Sequence, residues 1–178
     1  MDRLEVRVSG AGGQGMILAG IILAEASTHH PELNVVQTQS YGPESRGGAS
    51  RAEVVISQDN IDYPKVVKAD ILIALTDEAL AKYGDDVEDD AVVIIDENMN
   101  TEDFTPPQEG EFHSLPIFAT ARDEIGLELT ANIVALGALS HFLPGLSSES
   151  IKKALMERVP EGTEEKNKAA FEAGRKLI

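Results

Sequence analysis

Apolar and polar positions alternate from the start of the chain. In Leu4–Ser9 the apolar Leu4, Val6 and Val8 take every second place, the period of a strand with one buried face. A glycine-rich stretch, Gly10–Gly15, follows at once. Over Met16–Thr28 the period changes, with Ile17, Ile21 and Ala24 on one helical face and Ile22 and Ala26 beside them. His29, His30 and Pro31 end that helix, and imidazoles near a helix C-terminus suit its dipole. Asn34–Thr38, with Val35 and Val36, reads as a second strand, and Ala49–Ser57, with Val54, Val55 and Ile56, as a third. Ile71–Leu75 and Ala91–Asp96 are short apolar runs of the kind that forms strands buried on both faces, with a crossover helix over Asp77–Tyr83 between them.

Beyond a loop at Thr101–Gly110 the pattern predicts helix throughout. Ala131–Phe142 is apolar almost all round, which places it in the core or at an interface, and Pro144 and Gly145 break it. Ser148 is the predicted cap of a helix running to about Arg158, with Ile151, Ala154 and Leu155 inward. A last amphipathic helix covers Glu164–Lys176. Alternating strands and helices predict an α/β fold: a single Rossmann-like domain over residues 1–178, with a mostly parallel sheet flanked by helices and a helical C-terminal third.

Composition narrows the chemistry. Hydrophobic residues are 42% of the 178, a globular balance, yet aromatics are only 4%, so Ile, Val, Leu and Ala must build the core. A formal net charge of −16 with no Lys/Arg run sets nucleic-acid binding aside. The absence of cysteine removes disulfides, thiolate zinc sites and Cys-ligated iron–sulfur clusters from this chain. No leading hydrophobic stretch or membrane-length run is present, and a cytoplasmic location is expected.

Gly10-Ala11-Gly12-Gly13-Gln14-Gly15 matches G-x-G-x-x-G between a strand and a helix. Glycines allow a tight turn and close approach to a phosphate, and the helix start offers free N–H groups and the positive end of its dipole. Many such matches are merely tight turns. A dinucleotide site also asks for an acid at the end of the second strand, where this chain has Val36-Gln37-Thr38-Gln39-Ser40. What survives is a phosphate-friendly loop of unspecified ligand. In the second loop, Tyr41–Gly48, Pro43 stiffens the turn and Gly47 and Gly48 permit unusual backbone geometry. Arg46 brings a guanidinium fork suited to phosphate or carboxylate, and Tyr41 a stacking face. The alternative is a rigid turn in which Arg46 pairs with Glu44 or another acid.

Taken together, Ser-Gly-Ala-Gly-Gly-Gln-Gly-Met (9–16) and Tyr-Gly-Pro-Glu-Ser-Arg-Gly-Gly (41–48) closely resemble the gamma subunit of 2-oxoacid:ferredoxin (flavodoxin) oxidoreductases. The similarity continues through Asp70–Leu75, Thr130–Leu139, Glu165-Lys166-Asn167 and Gly174. Within that family it resembles the 2-oxoglutarate type: Ala11 and Tyr41 stand where pyruvate and 2-oxoisovalerate types tend to have Arg and Phe, and Pro43-Glu44 is usually missing from indolepyruvate relatives. The resemblance implies oxidative decarboxylation of a 2-oxoacid to its acyl-CoA. Thiamine diphosphate, magnesium and iron–sulfur clusters are then housed in partner alpha and beta subunits, with room for a ferredoxin-like delta subunit, and ferredoxin or flavodoxin takes the electrons. This chain would help bind coenzyme A and close the active centre, through Gly12, Gly13, Gln14, Gly15, Tyr41, Arg46, Gly47 and Gly48, and would be inactive alone.

Two other classes compete: an independent Rossmann dehydrogenase, disfavoured by the missing ribose acid, and a purely structural subunit whose glycine loops touch neighbouring chains. A pyruvate or branched-chain substrate is the alternative within the family. No catalytic constellation stands out. His113 and His141 read as isolated packed or surface residues, and the run Asp85–Asp90 as a solvated helix-end surface, since its spacing fits no calcium loop.

Overall fold

The period-2 pattern of the first strand divides its side chains between two differently built layers. In the computed structural model, which describes residues 3–41 and 49–178, six strands form one sheet: β1 (Leu4–Ala11), β2 (Asn34–Ser40), β3 (Ala49–Ser57), β4 (Ala69–Ala74), β5 (Val87–Asp96) and β6 (Glu111–Leu115). Their order is β2-β3-β1-β4-β5-β6. β1, β4, β5 and β6 run parallel, whereas β3 is antiparallel to both β1 and β2. The α/β class and the parallel majority therefore hold, in a mixed sheet. β3 returns antiparallel against β2, whereas the parallel pairs β4–β5 and β5–β6 are joined by longer crossovers.

One layer contains α1 (Met16–Thr28), α4 (Ala131–Leu139), α5 (Ser148–Arg158) and α6 (Glu164–Arg175). Leu4, Val6, Val8, Ile71, Ile73 and Ile94 point into it and meet Met16, Ile22 and Leu23 of α1 and the apolar faces of the other helices. The other layer is thin: α2 (Asp77–Tyr83) lays Ala79, Leu80 and Tyr83 on Leu72, Ala74, Val93 and Ile95. Thr76 starts α2 by accepting the Ala79 N–H (3.2 Å), with Asp77 and Glu78 in its first turn and Lys82 in its last, a favourable dipole arrangement. Every residue of α4 is buried, which assigns this apolar segment to the core. A short helical stretch, α3 (Ile117–Ala119, continued by a π-helical turn at Thr120–Glu124), leads toward it.

Two segments differ from the sequence reading. Glu111–Leu115 was expected to be helical and is strand β6, where Phe112 and Leu115 gain cover from β5 and its neighbours. Five residues with one weak alternation carry too little periodicity to separate the two. Asp85 and Asp86 are exposed as expected, but Glu88, Asp89 and Asp90 belong to β5, which starts at Val87 beside Ala69. The α5 cap is Ser147, one residue earlier than expected, accepting the Ser150 N–H at 3.1 Å. No helix among the described residues is long and apolar enough to cross a membrane.

Candidate functional site

The glycine loop leaves the sheet at the C-terminal end of β1, the edge at which open α/β sheets present ligands. Its departure is tightly tied down. Ser9 Oγ donates to the Ile73 carbonyl (2.9 Å), Leu75 N–H to the Ser9 carbonyl (3.0 Å), and Ser50 Oγ reaches the carbonyls of Gly10 (3.3 Å) and Ala11 (3.2 Å). Gln14 folds back over the turn: its N–H donates to the Ala11 carbonyl (3.2 Å) and its Oε1 accepts the Ala11 N–H (2.7 Å). A Cβ on Gly10 would collide with that amide oxygen. Gln14 thus shapes the loop from within, rather than reaching outward.

Gly13 and Gly15 have φ of 93° and 75°, the left-handed region that side chains avoid. Their surroundings differ. Open space lies beside Gly13, so its backbone can be approached from outside. Gly15, the residue that starts α1, is closely flanked by Asn132, whose Nδ2 donates to the Gly15 carbonyl at 2.9 Å. A cleft of about 160 Å³ opens between Gly13 and Gln14 on one side and Phe118, Glu128, Leu129 and Ala131 on the other. Gly13 on its wall and the preceding Gly12 are exposed, and Leu129 is 74% exposed.

Tyr41, directly after β2, is 70% exposed, as a stacking residue would have to be. Arg46, Gly47 and Gly48 lie outside the described residues. The position where a dinucleotide site needs an acid is Ser40. The nearest acid across the strand pair is Glu53, opposite Thr38, and it is committed elsewhere. Glu53 Oε1 accepts from Arg7 Nε (3.0 Å) and lies 3.4 Å from Arg51 Nε, while Arg7 and Arg51 stack on Tyr83 at 5.2 and 5.3 Å. Arg7 also donates to the carbonyls of Val66 (3.0 Å) and Asp86 (3.2 Å). This buried cluster escaped the sequence reading. Its one signal was a charge at a strand position flanked by apolar residues, Val6-Arg7-Val8 and Ala52-Glu53-Val54.

The histidines make structural contacts, although the buried His29 Nδ1 has no hydrogen-bond partner among the described residues. His29 ends α1 through its backbone N–H, His30 Nε2 meets Ser150 Oγ at 3.1 Å, His113 pairs with Glu111 (3.0 Å) and packs on Phe142, and His141 donates to the Arg175 carbonyl (2.8 Å). Among the described residues no group of three or more His, Cys, Asp or Glu could hold a metal ion. The site is therefore a backbone cradle with a neighbouring cleft. It can bind and orient a ligand, and it brings together Gly12, Gly13, Gln14 and Gly15.

Known proteins match this chain almost end to end. The sequence profile of the family described as "Pyruvate ferredoxin/flavodoxin oxidoreductase" matches residues 5–177. The chain is 49% identical over 172 residues to a Methanocaldococcus jannaschii protein named 2-oxoglutarate synthase subunit KorC, covering 97% of this chain and 92% of that one. The crystal structure of a keto/oxoacid ferredoxin oxidoreductase gamma subunit from Geobacter sulfurreducens superposes with a TM-score of 0.84 at 42% identity, covering 99% and 97% of the two chains. A 2-oxoglutarate:ferredoxin oxidoreductase from Magnetococcus marinus, solved with 2-oxoglutarate, coenzyme A and succinyl-CoA bound, matches with a TM-score of 0.81 at 27% identity. That match spans 99% of this chain and 31% of the longer one. On the fold, the glycine loop and these matches, the chain belongs to the pyruvate ferredoxin/flavodoxin oxidoreductase family, as a gamma-type subunit of a 2-oxoacid oxidoreductase.

Proposed function

We propose that this subunit serves a thiamine-diphosphate-dependent 2-oxoglutarate:ferredoxin oxidoreductase and contributes coenzyme A contacts through its glycine loop and the segment 41–48. The observation that carries this reading is the exposed, left-handed Gly13 with open space beside it, at the start of α1. Backbone there can approach a phosphate as closely as van der Waals contact allows, and the α1 dipole favours the anion. Coenzyme A supplies the thiol that receives the acyl group. The residues of this chain hold its phosphates: the Gly12–Gly15 backbone one of them, and Arg46 another by a charge-assisted fork, with Tyr41 as a packing face. Glu128 on the far wall of the cleft repels an anion, so the cleft suits an uncharged part of the ligand. Thiamine diphosphate, magnesium and iron–sulfur clusters belong to the alpha and beta subunits, in keeping with the lack of cysteine here. The resemblance to four KorC proteins at 41–49% identity supports 2-oxoglutarate over pyruvate or a branched-chain acid.

Steady-state kinetics of the assembled complex test this. Losing a charge-assisted contact typically costs roughly 1.5–3 kcal/mol, so Arg46→Ala should raise the coenzyme A KM about 10- to 150-fold. Arg46→Lys should recover only part of the loss, because a point charge lacks the bidentate fork. Gly13→Val should abolish coenzyme A use, since a β-branched residue resists positive φ and fills the open approach. Reaction of the 2-oxoacid in the absence of coenzyme A should be little changed. The inward-folded Gln14 favours the rival in which the loop is only a rigid turn. Intact assembly with an unchanged coenzyme A KM in both Arg46→Ala and Gly13→Val would establish that rival.

A further inference from the structure

The start of α1 has no capping side chain of its own, because its first residue is Gly15. The bond that substitutes for one comes from a residue 117 positions away. Asn132, on α4, is 3% exposed, and its Nδ2 donates to the Gly15 carbonyl at 2.9 Å. The same carbonyl accepts the Ala19 N–H at 3.1 Å, the first hydrogen bond of the helix. Two donors therefore fix one carbonyl oxygen, and with it the plane of the Gly15–Met16 peptide. That peptide is trans, so the Met16 N–H points opposite to the fixed carbonyl, away from the body of α1 and off its N-terminal end. Asn132 thus sets the direction of an N–H at the place where a phosphate would meet the helix. It also explains Gly15 sterically: a Cβ there would press on the Asn132 amide.

We propose that Asn132 is a positioning residue of the glycine loop, holding the Gly15–Met16 peptide in the orientation in which its N–H faces an incoming phosphate. The asparagine amide suits this task. It is the short, uncharged side chain that carries an N–H donor, while aspartate would set an oxygen against the carbonyl and leucine would offer no donor. The assignment to a phosphate rests on the coenzyme A reading above, whereas the assignment to loop geometry does not.

The experiment uses the assembled complex with Asn132→Leu, which keeps the branching at Cγ with more bulk and removes the donor, and with the near-isosteric Asn132→Asp. Hydrogen exchange of the amides from Gly12 to Met16 should accelerate about five- to tenfold in Asn132→Leu, the loss of one ordinary hydrogen bond. The coenzyme A KM should rise by a similar factor, with the 2-oxoacid KM unchanged. In Asn132→Asp both effects should shrink as pH falls and the new carboxyl gains a proton to donate. A lower melting temperature with unchanged loop exchange and unchanged coenzyme A KM would reduce Asn132 to a packing residue and overturn the proposal. Faster loop exchange with an unchanged coenzyme A KM would leave the positioning role standing and remove coenzyme A from this loop. Should Asn132→Asp fail to assemble, Asn132→Leu decides alone.

Discussion

Asp70 is held where its charge is least welcome. It accepts the Glu5 N–H at 2.6 Å on β4, half-buried, with Glu5, Glu88 and Asp90 nearby. Burial pushes its carboxyl above the usual range; the Glu5 N–H, the next-largest effect, pulls it down, and those like charges add smaller pushes upward. A carboxyl whose folded-state pKa is raised contributes stability below its unfolded pKa and loses it as pH rises through the folded value. At neutral pH the ionised Asp70 is therefore a cost. Asp70→Asn keeps an acceptor for the Glu5 N–H and should raise the melting temperature at pH 7, with the gain disappearing toward pH 3. Thermal melts across that range check the sign; a lower melting temperature at pH 7 would show that the ionised form earns its place by its hydrogen bond. The candidate site was partly legible at the same scale. Glycine spacing located Gly12, Gly13 and Gly15, because a missing side chain is a local property. The inward fold of Gln14 and the Asn132 brace were not legible, since each depends on a partner that only the folded chain supplies.

Among the elements, α4 and α6 cross backbone against backbone. A Cβ on Gly137 would strike the Phe171 carbonyl, and one on Gly174 the Val134 carbonyl, so the two backbones meet with nothing between them. Close approach lets Val134, Leu136, Ala170 and Phe171 pack fully. Gly174→Ala should force the helices apart and lower stability by about 1–3 kcal/mol, the usual cost of overfilling a packed interface. It should do so although Ala is the better helix former by about 1 kcal/mol. Urea denaturation of the two proteins measures it, and equal stability would mean the crossing can slide. The residues that fixed elements legibly were those with sustained periods. Met16–Thr28, Asp77–Tyr83 and Ala49–Ser57 lie where the pattern put them. The pattern assigned β6, too short to show a period, to helix, and it was silent on the reversal of β3, because a strand's hydrophobic alternation is the same in either direction. It also left α4 between core and interface, a matter that only the arrival of α6 decides.

Across the whole molecule the charge is far from evenly spread. Residues 77–111 carry thirteen acids and the single base Lys82, a formal −12 out of the chain's −16. They form α2, β5, the following loop and the start of β6, so most of this charge sits at one side of the sheet. Few of these acids are paired, Asp86 with Arg7 at 4.0 Å and Glu111 with His113, while other ion pairs lie elsewhere: Glu25 with Arg158 joins α1 to α5, and Lys152 with Glu172 (3.0 Å) joins α5 to α6. The acidic side is thus under its own repulsion, while the helical layer is knitted by opposite charges. Salt should act on the two in opposite senses. Screening weakens the exposed pairs, which are worth about 0–1 kcal/mol each, and it relieves repulsion among thirteen acids, which unfolding would otherwise dilute. Relief should win. Raising NaCl from about 0.02 to 0.5 M, which shortens the screening length to a few ångström, should raise the melting temperature, by roughly 2–4 °C for every kcal/mol of repulsion removed. Chloride is the right anion for the test, since sulfate would stabilise by exclusion from any protein surface. The same rise should be smaller in a variant with Asp85, Asp89 and Asp90 changed to Asn, because the repulsion is already reduced. A melting temperature that falls with NaCl would mean that the helix-layer ion pairs outweigh the acidic side.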